Sequence, residues 1–215
     1  GVAGLQARAT AKRLGAVVSA YDVRAAAREQ ILSVGAKPVE LELETEQSED
    51  KGGYAKAQGE EFLRKQREQM TEVVAQQDVV ITTAAIPGAK SPILVTKEMV
   101  AAMKPGSVII DLAAERGGNC ELTELDREVD ANGVKIYGPG NVPATVSFHA
   151  SQMFGKNMES LITLLIGEEG ALKLDFEDEI IRSTVIAHEG DVPQEKMREL
   201  LSMPPSPSPA TEEKA

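Results

Sequence analysis

Tryptophan is absent from this 215-residue chain and aromatic side chains make up only 3% of it, so any core must be aliphatic. Cations are scarce beside anions: 23 Lys and Arg face 34 Asp and Glu, a net charge of −11. That balance argues against a nucleic-acid binder, which needs clustered Lys and Arg, and against docking on an anionic lipid surface. The single cysteine, Cys120, excludes an internal disulfide and fits a reducing compartment. It also offers zinc no second thiolate, and no metal site is expected. The two histidines, His149 and His188, stand in unrelated contexts and read as structural or exposed rather than as a catalytic base. No triad is visible, and no catalytic residue is assigned. No apolar run reaches membrane-spanning length, and neither a signal peptide nor an internal repeat is visible.

What is present is a 42% hydrophobic content, enough for a buried core. At its start stands Gly1-Val2-Ala3-Gly4-Leu5-Gln6-Ala7. It reads as the back half of a G-x-G-x-x-G turn entered at the second glycine. A helix pattern follows to Gly15, then the apolar run Ala16 to Tyr21, closed by Asp22. Turn, helix, strand and terminal acid in that order form a dinucleotide-binding fingerprint. Gly1 lets the backbone approach a pyrophosphate, Gly4 lets the helix pack close to a sheet, and the helix N-terminus offers free N–H groups to phosphate. Asp22 lies about 18 residues beyond Gly4, near the roughly 20 expected of the acid that binds ribose hydroxyls. The alternative is an ordinary βα turn in a parallel sheet with Asp22 at a solvated strand end. The first glycine and the strand before it are not seen, so the chain reads as N-terminally truncated.

The expected fold is α/β: a Rossmann-type doubly wound parallel sheet with its first strand missing, plus a C-terminal piece of a second α/β subdomain. Helices are predicted over 2–15, 24–34 and 58–77, with a buried strand at 16–22, further strands at 78–83, 107–113 and 134–137 and a short strand at 37–43. Gly35 should cap the second helix and Thr96 a short helix at 97–103. Residues 44–57 carry charge and glycine without apolar periodicity and read as a mobile loop. The nucleotide-binding domain is assigned to 1–143 and a long connecting helix to 144–168. A hairpin (172–176 with 180–187) and a helix within 169–202 are assigned to the other subdomain, and a Pro-rich tail to 203–215.

Gly1–Gly4, Asp22–Arg24, Thr83–Ala85 and Asp111–Gly118 should converge at the carboxyl ends of parallel strands, where such sheets bind ligands. Asp22 should accept from the adenosine ribose diol and repel the 2′-phosphate of NADP(H), favouring NAD(H). Arg24 is the counter-signal, since an arginine nearby accommodates that phosphate; it reads equally as a surface charge at the start of its helix. Hydride transfer needs no protein nucleophile, so the missing catalytic residue does not count against a nicotinamide enzyme.

The segments GVAGLQA, AKRLGAVVSAYDVR, GGYAKAQGEEF, DVVITTAAIPG, MKPGSVIIDLAAERGGNCE and GVKIYGPGNVPA together resemble proton-translocating NAD(P) transhydrogenase. The likeness is to the NAD(H)-binding domain of its alpha subunit, which is similar to alanine dehydrogenase, and it covers about residues 1–165. It implies nucleotide contacts at Val2, Asp22, Val23 and Arg24, at Gly53 beside the mobile-loop Tyr54, at Gln66, and at Thr83 with Ala85. It also implies a translocase that passes hydride between NAD(H) here and NADP(H) on a partner domain. The implied setting is a homodimer, soluble by itself, peripheral to an inner membrane on the cytoplasmic or matrix side and docked on a proton-channel domain. Two departures stand out. The family's first subdomain, with the Arg-Gln-Asp loop that positions the nicotinamide, is not in this chain, which is therefore expected to be inactive alone. Tyr21 stands where the family usually has a smaller residue. An alanine dehydrogenase fragment and a non-enzymatic nucleotide-sensing or interaction module are the competing readings. Alanine dehydrogenases carry aspartate where Glu115 stands.

Overall fold

The computed structural model describes residues 2–22, 24, 27–33, 35–39, 60–86, 88–167 and 170–204, without side-chain detail at 60–63 and 66. The expected loop at 44–57 and the tail from 205 onward lie outside the described residues. The chain divides into two compact units, Gly1–Thr145 and Val146–Ala215.

The first unit is built of α1 (Val2–Arg13), β1 (Ser19–Ala20), α2 (Ala27–Ser33), β2 (Lys37–Pro38), α3 (Glu60–Ala75), β3 (Val79–Thr82), α4 (Lys97–Ala102), β4 (Val108–Asp111), a 3₁₀ turn at Ala114–Arg116, β5 (Glu128–Ala131) and β6 (Val134–Tyr137). β1 and β2 pair in parallel, with Ser19 opposite Lys37. A second sheet runs β3-β4-β6-β5, parallel except for the antiparallel β5. Helices linking parallel strands make this the expected α/β class. Among the described residues no strand joins β1 to β3.

Local chemistry explains several boundaries. Gly15 follows α1 at φ +91° and Gly35 follows α2 at φ +69°, conformations that a side chain resists. Thr96 begins α4 by accepting from the Met99 N–H at 3.3 Å, as its position predicted. The core lies on one face of the larger sheet. Ile109 of β4 and Ile136 of β6 are fully buried beneath Val74 of α3 and Met99 and Val100 of α4. Burying such side chains contributes about 1.5–3 kcal/mol each. Burial alternates along β6, with Val134 and Ile136 inside and Lys135 and Tyr137 outside, the period-2 pattern of a half-covered strand. The core cluster is aliphatic and sulfur-bearing, as the composition required.

The run 16–22 is not the buried strand expected. Only Ser19 and Ala20 pair, and Val17 is 85% exposed. A strand is buried by neighbours on both sides, and β1 pairs only with β2 among the described residues. β5 was not anticipated. It pairs with β6 through the two-residue turn Asn132-Gly133, both at positive φ (+55° and +85°). Asn-Gly between alternating segments is the strongest local signal for that turn.

The chain leaves β6 through a 3₁₀ segment at Val142–Val146. The second unit then holds α5 (Ser147–Leu165), α6 (Glu179–Thr184) and α7 (Glu195–Leu200). The hairpin expected here does not form. Leu172 makes an isolated bridge with Ile166, and 179–184 is helical because Asp178 caps it, accepting from the Ile180 and Ile181 N–H groups at 2.8 and 3.2 Å. Ile181 is buried here. So is Arg198, which donates to Asp191 Oδ1 and to the carbonyls of Val192 and Pro204. A buried guanidinium is tolerated only when paired in this way.

Candidate nucleotide-binding edge

α1 begins against the end of β3. A Cβ built on Gly4 would stand 3.2 Å from Thr83 Oγ1, tighter than most real contacts. The glycine therefore permits a close approach between two segments 79 residues apart, in the manner expected of the helix–sheet glycine of a dinucleotide fold. Val2, at the start of α1, is 87% exposed. Thr83 is half-buried and Ala85 exposed, both just past the end of β3.

Asp22 lies just beyond β1. Arg24 grips its carboxylate: the backbone N–H and Nε donate to Oδ1, each at 3.0 Å, and Nη2 donates to Oδ2 at 2.9 Å. Burial raises the Asp22 pKa, but lowering influences led by these hydrogen bonds outweigh it and bring the value to about 2. Asp22 is thus an ionised, acceptor-only group at neutral pH, which is what a ribose diol requires. Its charge also reaches Arg8 on α1, whose pKa burial lowers while Asp22 raises it. α1 consequently faces both ends of the edge, Thr83 near its first turn and Asp22 further along.

The turn after β3 is held by Asn119, which spacing alone did not single out, together with the expected Asp111–Gly118 stretch. Asn119, fully buried, accepts from the Ala84 N–H at 2.9 Å and donates through Nδ2 to the carbonyls of Ala84 and Pro92, both at 2.9 Å. Asp111, also fully buried, ends β4. Its Oδ1 accepts from Thr82 Oγ1 and the Ala113 N–H, and its Oδ2 from the N–H groups of Asn119 and Cys120 and from Thr123 Oγ1, all at 2.7–3.0 Å. The loop must turn back sharply to bring those amides to one oxygen. Gly117 and Gly118 sit at φ +92° and +77°, and a Cβ on Gly118 would stand 2.8 Å from Asp111 Oδ2. Two consecutive glycines just beyond an acid at a strand end were the available sequence signal. Cys120 belongs to this packing: burial pushes its thiol pKa up, away from a reactive thiolate.

Of the other expected contacts, Gly1, Val23, Gly53 and Tyr54 lie outside the described residues, as does the side chain of Gln66 on α3. A shallow depression on α5, lined by Ser147, Phe148, Ser151 and Gln152, contains none of the expected nucleotide contacts and no cation for a phosphate. Among the described residues no group of three or more His, Cys, Asp or Glu converges on a metal position, and no helix is long and apolar enough to cross a membrane.

Residues 1–195 match the family described as alanine dehydrogenase/PNT, C-terminal domain. The chain belongs to that family. Within it, the chain is 50% identical over 194 residues to an NAD(P) transhydrogenase subunit alpha chain of Rhodospirillum rubrum, covering 89% of this chain and 50% of that protein. The solved transhydrogenase of Sinorhizobium meliloti superposes with a TM-score of 0.73 at 46% identity, again over 89% of this chain and 50% of that one. Alanine dehydrogenase of Bacillus subtilis is 36% identical over 131 residues, 59% of this chain and 34% of that protein. The chain spans about half the length of the transhydrogenase relatives it matches.

The alanine dehydrogenase/PNT chain also shows what Glu115 does. Its Oε1 accepts from the Asn141 N–H at 3.0 Å, while Asp126 Oδ1 accepts from the Gly140 N–H at 2.7 Å. Two carboxylates thus anchor the segment that leaves β6.

Proposed function

We propose that this chain is the NAD(H)-binding component of a proton-translocating NAD(P) transhydrogenase. The observation that carries the reading is the close approach of Gly4 to Thr83 Oγ1, which places the first turn of α1 at the end of β3. Asp22, ionised in the grip of Arg24, supplies the ribose acceptor. Val2, Gly4, Asp22, Arg24, Thr83 and Ala85 form the described part of the nucleotide edge. Gly1, Val23, Gly53, Tyr54 and Gln66 are its remaining proposed contacts. NAD(H), when bound, supplies the hydride carrier; the residues of this chain bind it, orient it and choose between it and its 2′-phosphorylated counterpart. In the complete enzyme NADP(H) binds a partner domain, hydride passes between the two nicotinamides, and the transfer is coupled to proton movement through a membrane domain. The component is a homodimer, peripheral to that membrane. Without the NADP(H) partner this chain turns over nothing.

Arg24 sharpens the specificity argument. With both carboxylate oxygens of Asp22 engaged by Arg24, the guanidinium that would attract a 2′-phosphate is occupied. Asp22→Asn removes the negative charge and loosens Arg24, and both effects favour NADPH. The preference for NADH over NADPH should narrow by about 1–2 kcal/mol, read by titrating wild type and variant with each cofactor. Equal wild-type affinities for the two cofactors would sink the assignment.

A soluble alanine dehydrogenase is the second reading. Glu115 disfavours it, because the longer acid spans to the Asn141 N–H where alanine dehydrogenases carry aspartate. Alanine-dependent NADH formation in the intact protein would favour it instead.

A further inference from the structure

We propose that Asn119 is a positioning residue of the nucleotide edge, holding the segment from Thr83 to Pro92 in the shape that receives the dinucleotide. The inference rests on the NAD(H) reading above. Its geometric basis is a single buried amide bonded to both ends of that segment: to the N–H and C=O of Ala84 at one end and to the C=O of Pro92 at the other. Between those ends, Arg116 Nη1 donates to the Ile86 carbonyl at 3.3 Å. Ala84, Ala85, Gly88 and Ala89 are too small to anchor by packing, and Ala85, Gly88 and Ala89 are exposed. An amide that donates and accepts at the same residue substitutes for the neighbouring strand that the backbone has lost beyond β3. Further bonds tie the two loops together: the Ser91 N–H donates to the Arg116 carbonyl, and the Leu94 and Val95 N–H groups donate to the Asn119 carbonyl.

Asn119 is itself located from behind. Its N–H donates to Asp111 Oδ2 at 2.7 Å, and the other oxygen of Asp111 accepts from Thr82 Oγ1, the residue immediately before Thr83. The chain of contacts therefore runs from the end of β4 to the two sides of the proposed cofactor turn, through the buried side chains of Asp111, Thr82 and Asn119.

The test titrates the full natural chain with NADH, as wild type, Asn119→Ala and Asn119→Asp, well below the unfolding temperature. Asn119→Asp keeps the volume and an acceptor for the Ala84 N–H, but turns an acceptor toward two carbonyls. Both variants should raise the NADH dissociation constant about ten- to a hundredfold, the aspartate no less than the alanine. Ile136→Val, in the core beneath β6, should lower the melting temperature and leave the NADH constant unchanged. Wild-type affinity in either Asn119 variant overturns the proposal, and so does an equal loss of affinity in Ile136→Val. Should the Asn119 variants not fold, amide exchange in the wild type decides: the Ala84 N–H must be protected without NADH, and a fast-exchanging one overturns the inference. A wild type that binds no NADH overturns the nucleotide reading and this inference with it. A wild type that binds, beside variants that bind equally well, overturns this inference alone.

Discussion

Asp22 shows how one residue combines opposing influences. Burial raises its pKa, and lowering influences led by the guanidinium and backbone N–H of Arg24 more than compensate, to about 2. Because the folded value lies below the ordinary 3.8, the carboxylate stabilises the fold fully above that pH. The contribution is lost as pH falls from 3.8 toward 2. The urea midpoint should therefore drop between pH 4 and pH 2 more steeply in wild type than in Asp22→Asn; parallel curves would place the acid sensitivity at other carboxylates. Gly4 offers a second test. Alanine has the better helix propensity, by up to about 1 kcal/mol in a helix interior, but Gly4 sits in the first turn and its Cβ would press on Thr83 Oγ1 at 3.2 Å. Gly4→Ala should change thermal stability little while weakening NADH binding. Undiminished affinity would show that the close approach serves packing only.

Among the elements, the β5–β6 hairpin depends most directly on two residues. Asn132 and Gly133 both adopt positive φ, as a two-residue turn between right-twisted strands demands. Gly133 is further confined: its N–H donates to Asp130 Oδ1 at 2.8 Å, its carbonyl accepts from the Gly106 N–H, and a Cβ would lie 3.0 Å from that of Pro105. Gly133→Ala should cost about 1–3 kcal/mol in urea unfolding. Asn132→Gly should be close to neutral, since glycine meets the same φ without strain. Equal costs at the two positions would contradict this division of roles. Lys135, across the hairpin, pairs with Glu128 and Asp130 in the open. Such exposed pairs are worth little, so the turn rather than the charges should decide the stability of this edge.

For the molecule as a whole, all described contacts of the proposed nucleotide edge fall in the first compact unit. NADH at a hundred times its dissociation constant should stabilise that unit by about 2.7 kcal/mol. In hydrogen exchange, protection should rise in α1, around Thr83–Pro92 and in 111–122, and remain unchanged across α6 and α7. Equal gains in both units would show that the nucleotide is felt by the second unit as well.

The sequence by itself determined the α/β class, an aliphatic core, the register of Gly4 and Asp22, the turn at Thr83–Ala85 and the Thr96 cap. Most are signalled by composition or by residues close in sequence: alternation in 134–137, a capping hydroxyl before a helix, a glycine where backbone must come close. The Asn132-Gly133 pair belongs with them, since its hairpin signal is equally local. The tertiary structure alone decided the rest. Asn119 reaches Ala84 across 35 residues, and the grip of Asp111 on two loops depends on a chain reversal through Gly117-Gly118. Neither contact leaves any local periodicity. The short apolar segment at 180–187 reads as a strand, but the cap at Asp178 makes Glu179–Thr184 a helix instead. Burial of 16–22 was not legible for a related reason: hydrophobicity marks a strand's capacity to be covered, whereas its neighbours in space decide whether it is.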